Sequence, residues 1–407
     1  MYDFLDPCSS VDLVKHYTRR SDPSMNKNIF CLRDLEEKAR RKLPEVIFTY
    51  IDSHAEDGQS SRRNTESFKD LYFVPRCLND TSQRSSHTHL FEKPYSAPFG
   101  IAPMGIASLT AYQGDLALAK SAKAMNIPMI LSGSSLIPLE SIIDVAPSTW
   151  FQMYVPETYE KMAALIERVE NANYEVLVVT VDFPVFGNRE NEARSGFSTP
   201  LKLSGKLIWD GITHPNWLIS TWLRTLLTSG VPHFENNYAT RGAPILSKTI
   251  SRDFSGRTTF DWNLLREVRK LWKGKLVIKG LLSEADVSKA CAHGVNGVIL
   301  SNHGGRQLDG AISPMDALPG AKKALSGDVR LMLDGGIRRG SDVLKAIALG
   351  ADFVFVGRPF NYAAAVAGER GVMKAIEILM EEIDRNLALL GATSISELSP
   401  EFIYRSR

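Results

Sequence analysis

The 407-residue chain sets 48 Lys and Arg against 46 Asp and Glu, for a formal charge of +2, with 44% apolar and 23% charged residues. That balance excludes a global field drawing it to nucleic acid or an anionic membrane, so electrostatic specificity must be local. The apolar share excludes general disorder, and no run reaches the ~18 apolar residues of a spanning helix.

Residues 1–28 read as a polar N-terminal arm, and 29–407 as one folded body. The arm lacks the basic-then-apolar pattern of a secretory signal, so none is expected. Cys8, Cys31, Cys77 and Cys291 are widely spaced and form no C-x-x-C pair. This argues against a zinc site or disulfide framework and suits a reducing cytoplasm. A helical pattern runs from Leu32 to His54, and Pro44 within it predicts the start of a second helix. His87 and His89 stand two apart without further ligands of suitable spacing, which predicts an exposed strand rather than a metal site.

From Ala97 the pattern becomes short apolar runs separated by amphipathic stretches. The runs are PFGIAPM, IPMILSG, WFQMYV, VLVVTVD, KLVIKG, GVILSN, RLMLDGG and FVFVGRP. Doubly buried strands alternating with helices predict an α/β fold, a (β/α)8 TIM barrel with an N-terminal helical segment and a long insertion after strand 4. An open doubly wound sheet would place G-x-G-x-x-G after its first strand, where APMGIAS stands instead.

The insertion, at about 194–260, is a candidate lid or docking segment. Within it, HPNWLISTWLRTLL places Trp217, Leu218, Trp222, Leu223, Leu226 and Leu227 at spacings that predict an apolar helical face. Two readings stand side by side: the helix lies on a membrane surface, or it packs on its own barrel or a neighbouring subunit.

Chemistry in this fold sits at the C-terminal ends of the strands. There the chain offers Ser132, Gln152, Tyr154, Thr180, Asp182, Lys279, Ser301, His303, Arg306, Asp334 and Arg358, a density that predicts a ligand site. The glycines and arginines of LDGGIRRG and VGRP, after strands 7 and 8, predict a phosphate-bearing ligand. Lys279 ends an apolar strand and should face an anion, either as a Schiff-base lysine or to offset ligand charge. His303 with Arg306 three residues on joins a base to a carboxylate clamp, and Asp182 could orient the imidazole.

SNHGGRQLD, LDGGIRRGSDVLKAIALGA and VGRP resemble signatures of the FMN-dependent 2-hydroxy acid dehydrogenases and oxidases. The resemblance runs from about Leu32 to about Phe402, apart from most of the insertion. It implies oxidation of an L-2-hydroxy acid to the 2-keto acid with FMN as cofactor, His303 as base and Asp182 as its partner. It also implies that Arg306 and Arg189 bind the substrate carboxylate and that Tyr50 and Tyr154 face the substrate. Pro103, Met104, Gly105, Ser132, Gln152, Thr180, Lys279 and Ser301 would contact the flavin, with Lys279 stabilising negative charge on the reduced ring. Asp334, Gly335, Gly336, Arg338, Gly357 and Arg358 would meet its phosphate. Hydride and carbanion routes use the same residues.

Gly105 and Ser134 stand where relatives carry larger groups, which implies room for lactate, mandelate or a larger acid. The acceptor expected from the resemblance is a quinone or oxygen. No haem-binding segment is read before the barrel, so a flavocytochrome is not expected. The Trp and Leu of the insertion suggest a membrane-associated dehydrogenase on the inner face of the cell membrane, using quinone. Alternatives are an oxidase releasing hydrogen peroxide and a flavin-binding protein without turnover. A nucleotide dehydrogenase would need a loop cysteine, and no cysteine here follows a strand end. The resemblance further implies a homotetramer.

Overall fold

The computed structural model describes residues 28–247 and 255–406; the predicted arm lies outside them except for Asn28. Eight parallel strands form the central sheet: β4 (Phe99–Ile101), β5 (Ile130–Ser132), β6 (Trp150–Met153), β7 (Val176–Thr180), β8 (Lys275–Leu281), β9 (Gly297–Leu300), β10 (Arg330–Asp334) and β11 (Phe353–Val356). Seven fall within predicted runs, and β8 extends one residue, Leu281, past KLVIKG. Consecutive strands pair along the sheet, and β11 pairs back to β4. The remaining gap is bridged between Ile101 and Met129, with the Ile101 amide donating to the Pro128 carbonyl at 2.9 Å. The sheet is therefore a barrel, as expected.

Strand side chains alternate between the two faces. Ile130, Trp150, Val176, Val178, Val277, Ile299, Met332, Phe353 and Phe355 pack together inside the barrel. Their neighbours Leu131, Phe151, Leu177, Ile278, Leu300, Leu333 and Val354 join the core formed with the outer helices. Both faces are dry, which is why these runs are continuously apolar. The same period of two carries the inner face onward to the strand ends. Gln152, Thr180, Lys279, Ser301 and Asp334 each lie two residues beyond an inward apolar side chain, so all point into one mouth.

The opposite end is closed by a hairpin of β2 (Thr88–Leu90) and β3 (Lys93–Tyr95). Its Phe91 ring lies 5.4 Å from Trp150 and its Tyr95 ring 5.8 Å from Phe353. His89 lies in β2 and its ring serves no metal cluster among the described residues. A second small sheet pairs β1 (Leu71–Phe73) with β12 (Ile403–Arg405).

The N-terminal segment forms helices α1 (Leu32–Lys42) and α2 (Glu45–Ile51), with Pro44 capping the second as predicted. A third helix, Gln59–Lys69, follows. In the insertion, a helix at Gly205–Thr213 is followed by a helical stretch made of Pro215–Trp217, a π segment Leu218–Leu223, and Arg224–Ser229.

The single apolar face predicted for this stretch is corrected. Trp217, Thr221 and Thr225 are buried, and the Trp217 indole donates to the Leu109 carbonyl at 2.7 Å. Trp222 stacks on Trp217 at 6.4 Å and packs against the core. Ile219, Leu223 and Leu227 point outward, 64%, 42% and 87% exposed. Apolar residues thus occupy both sides, one docked on the barrel, as the packing reading expects, and one exposed.

Candidate active site

His303 follows β9 in a turn whose residues His303, Gly304 and Gly305 have φ of 58°, 67° and 75°. Three consecutive left-handed residues favour glycine, and a Cβ at Gly305 would come within 2.5 Å of the Ser61 amide nitrogen. This turn swings the imidazole over the barrel mouth. Its Nδ1 lies 2.9 Å from Asp182 Oδ1, and its Nε2 lies 3.4 Å from the Tyr154 hydroxyl. The carboxylate assigns the proton to Nδ1 and leaves the Nε2 lone pair facing the cavity.

Burial lowers the His303 pKa below its ordinary 6.5; Asp182 opposes the shift, and Lys279 and Arg189 add to it. The ring is therefore neutral, and able to act as a base, at neutral pH. For Asp182, burial would raise the pKa, but the imidazole and Lys279 outweigh it and hold the carboxyl low.

Lys279 is buried at the end of β8, 3.0 Å from Asp334 Oδ2 and 2.8 Å from Ser301 Oγ, whose hydroxyl donates to Asp334 Oδ1 at 2.6 Å. Burial alone would discharge the ammonium, yet Asp334 and Asp182 reverse the shift and keep it charged. Asp334, which also lines the cavity, directs its oxygens at Lys279 and Ser301. Ser301, like Ser132 and Asp182, sits one layer behind the cavity wall. Ser132 meets Gln152 Oε1 at 3.2 Å.

Every other predicted site residue lines one cavity. The space between its walls, about 1280 Å³, includes open solvent at the mouth. Tyr50, Tyr154, Arg189, His303 and Arg306 line the cavity together with Gly335, Gly336, Arg338, Gly357 and Arg358. A Cβ on Gly336 would overlap the Asn64 carbonyl at 1.9 Å, so only glycine permits the close approach of this loop, where φ is 82°. Arg358 also donates to the carbonyls of Ile51, Ser53 and Gly304, tying the end of α2 to the His303 turn.

The residues fit an FMN-sized anionic group. Gln152 lines the cavity, and its Nε2 is buried with no hydrogen-bond partner among the described residues. Such a donor calls for a ligand acceptor. The glycine loops add a cradle next to cationic side chains.

Two charged residues lining the cavity were not predicted. Glu192 lies between the two clamp arginines, its Oε1 3.0 Å from Arg306 Nη2 and 3.6 Å from Arg189 Nη1. Without it, two buried guanidiniums would repel each other; burial and Arg306 already lower the Arg189 pKa to about 10. In sequence, Glu192 belongs to a polar stretch that resembles a solvated helix face. Arg257, from the short 3-10 helix Ser255–Thr259 of the insertion, also lines the cavity. Its stretch, FSGRTTF, carries only the signal of a polar loop.

Among the described residues no helix is long and apolar enough to cross a membrane. The sequence matches the family of FMN-dependent dehydrogenases over residues 39–405. It is 36% identical over 380 residues to the (S)-mandelate dehydrogenase of Pseudomonas putida, covering 93% of this chain and 95% of the relative. It is 39% identical over 383 residues to the L-lactate dehydrogenase of Pseudomonas paraeruginosa, covering 91% and 97%. A crystal structure of (S)-mandelate dehydrogenase, described as a monotopic membrane protein, superposes with a TM-score of 0.84 at 34% identity, covering 93% of this chain and all of the other. A mandelate oxidase structure superposes with a TM-score of 0.76 at 30% identity, covering 92% and 98%. With barrel, site and sequence in agreement, the chain belongs to the FMN-dependent 2-hydroxy acid dehydrogenase family.

Proposed function

We propose that this flavoenzyme oxidises an L-2-hydroxy acid with a side chain larger than methyl, and that it passes the electrons to a membrane quinone. The observation that carries the chemistry is the Asp182–His303 pair, 2.9 Å apart, with Arg189 and Arg306 on the same wall. Bound FMN supplies a two-electron acceptor. Arg306 and Arg189 take the substrate carboxylate in bidentate fashion, in part replacing Glu192 as its counter-ion. Tyr50 and Tyr154 orient the hydroxyl-bearing carbon. His303 Nε2 receives the proton leaving the substrate, and Asp182 stabilises the imidazolium. Gln152, Thr180 and Lys279 would hold the flavin ring, while Gly335, Gly336, Arg338, Gly357 and Arg358 would hold the phosphate.

Room for the side chain comes from Gly105, where a Cβ would lie 3.1 Å from Ser134 Cβ and 3.2 Å from the Tyr50 hydroxyl oxygen. The test is anaerobic. L-lactate, L-mandelate and longer L-2-hydroxy acids are added in turn to the yellow holoenzyme, and bleaching is followed before air is admitted. Rapid bleaching by an acid larger than lactate, with slow recolouring in air, is expected. Fast recolouring with hydrogen peroxide would favour an oxidase, and bleaching by no hydroxy acid would remove the substrate reading.

The quinone reading rests on the exposed ridge of Ile219, Leu223 and Leu227, joined by Trp209 at 68% and Ile212 at 55% exposure. Such a ridge suits attachment to the inner face of the cell membrane, where quinone dissolves. Replacing Ile219, Leu223 and Leu227 together by serine should lower binding to anionic liposomes by about tenfold or more. Flotation reads this directly, and unchanged flotation would discard the surface. The homotetramer implied by the family resemblance is read by light scattering.

A further inference from the structure

We propose that Gln307 is a positioning residue that fixes the carboxylate clamp against the base, by tying the Arg189 guanidinium to the loop that carries Asp182. This rests on the hydroxy acid reading above, in which Arg189 and Arg306 take the substrate carboxylate.

The chemistry is divided between two loops. The one after β7 carries Asp182 and Arg189, and the one after β9 carries His303 and Arg306. Base and partner sit on opposite loops, as do the two clamp arginines, so the distance from base to clamp depends on how the loops are held together. The His303–Asp182 contact, at 2.9 Å, holds them at one end. Further along, the backbones touch: a Cβ on Gly187 would lie 2.5 Å from the Arg306 carbonyl oxygen and 2.6 Å from that of Gln307.

The Gln307 amide spans this second contact. Its Nε2 donates to the carbonyls of Val185 at 2.9 Å and Asp182 at 3.2 Å, and its Oε1 accepts from Arg189 Nη2 at 2.7 Å. Arg189 Nε donates to the Arg306 carbonyl at 2.9 Å. Two nitrogens of a planar guanidinium are therefore held before any ligand arrives, which sets its plane. An amide suits this place because the guanidinium needs an acceptor and the two carbonyls need a donor. A carboxylate offers no donor, and asparagine is one methylene shorter. The Arg189 side chain is only 8% exposed, so little water stands ready to replace the amide.

The test uses the anaerobic holoenzyme with L-lactate, L-2-hydroxybutyrate and L-mandelate, and takes forward the acid that bleaches the flavin fastest. The matching keto acid, pyruvate, 2-ketobutyrate or phenylglyoxylate, reports affinity through the spectrum of the oxidised flavin. Gln307→Met should weaken keto acid binding about tenfold or more and slow second-order bleaching by about 10- to 100-fold. Arg189→Met should also weaken binding, and adding Gln307→Met to it should weaken binding no further, since Gln307 acts on the ligand through Arg189. The acid limb of the bleaching profile should stay at its wild-type position, because the His303–Asp182 contact is retained. Flavin content and thermal midpoint check folding. Should Gln307→Met not retain flavin, Gln307→Asn, too short to span both loops, takes its place under the same criteria.

Wild-type keto acid affinity in the Gln307 variant, or losses that multiply in the double variant, overturns the proposal while leaving the hydroxy acid reading intact. So does an acid limb displaced to lower pH, which would place the effect on the base rather than the clamp. If none of the three acids bleaches the flavin, the parent reading fails and the proposal fails with it.

Discussion

Replacing His303 by asparagine should lower the rate of anaerobic flavin bleaching by about 10³- to 10⁴-fold, with FMN still bound. The effect is large because Nε2 is the basic atom of the site facing the cavity beside Tyr154, at 3.4 Å, and its basicity depends on the Asp182 contact at 2.9 Å. The wild-type pH profile follows from the same geometry. Burial holds the imidazole pKa below 6.5, so the second-order rate should be flat above that pH and fall on an acid limb below it. Asp182 raises the His303 pKa, so Asp182→Asn should move the limb to still lower pH while reducing the plateau about a hundredfold or more. A limb centred above 6.5, or an asparagine variant that bleaches at the wild-type rate, would assign the base elsewhere.

Lys279→Met should be the most destabilising single change in the site. It leaves the Asp334 carboxylate buried, 10% exposed, without the ammonium that lies 3.0 Å from it. Removing one partner of such a pair costs about 3–5 kcal/mol. The double variant Lys279→Met/Asp334→Leu removes both charges and should recover most of that loss, since an apolar replacement of a buried pair is often neutral. Neither variant should regain wild-type flavin reduction, because the cation beside the flavin site is gone in both. Urea midpoints report the stability and bleaching rates report the chemistry. Equal midpoints for wild type and Lys279→Met would show that the pair contributes nothing to the fold, and full bleaching in the double variant would show that the charge is not used.

The barrel was legible because its strands are buried on both faces and alternate with amphipathic helices, a pattern that local sequence carries without reference to partners. The strand-end residues were legible for the same reason: a period of two extends the inward face from Val178 to Thr180 and from Val277 to Lys279. The His303 turn was legible from its glycines, which permit left-handed backbone. The resemblance of SNHGGRQLD and LDGGIRRG to a known family added the cofactor and the roles.

The remaining features depend on parts of the chain far apart in sequence. Asp334 reads as a phosphate-loop residue until β8 and β10 bring Lys279 within 3.0 Å of it. Glu192 reads as part of a solvated helix face until Arg306, 114 residues away, donates to its carboxylate oxygen. The hairpin floor, the inward turn of Trp217 and the arrival of Arg257 over Tyr154 depend equally on where the connecting segments close. By itself, then, the sequence determined the strands, the inward residues and the type of chemistry, because side-chain periodicity is a local property. Tertiary structure alone decided which charges pair, which face of the insertion docks and which cation reaches the substrate wall, because Coulomb interactions and burial act through space rather than along the chain.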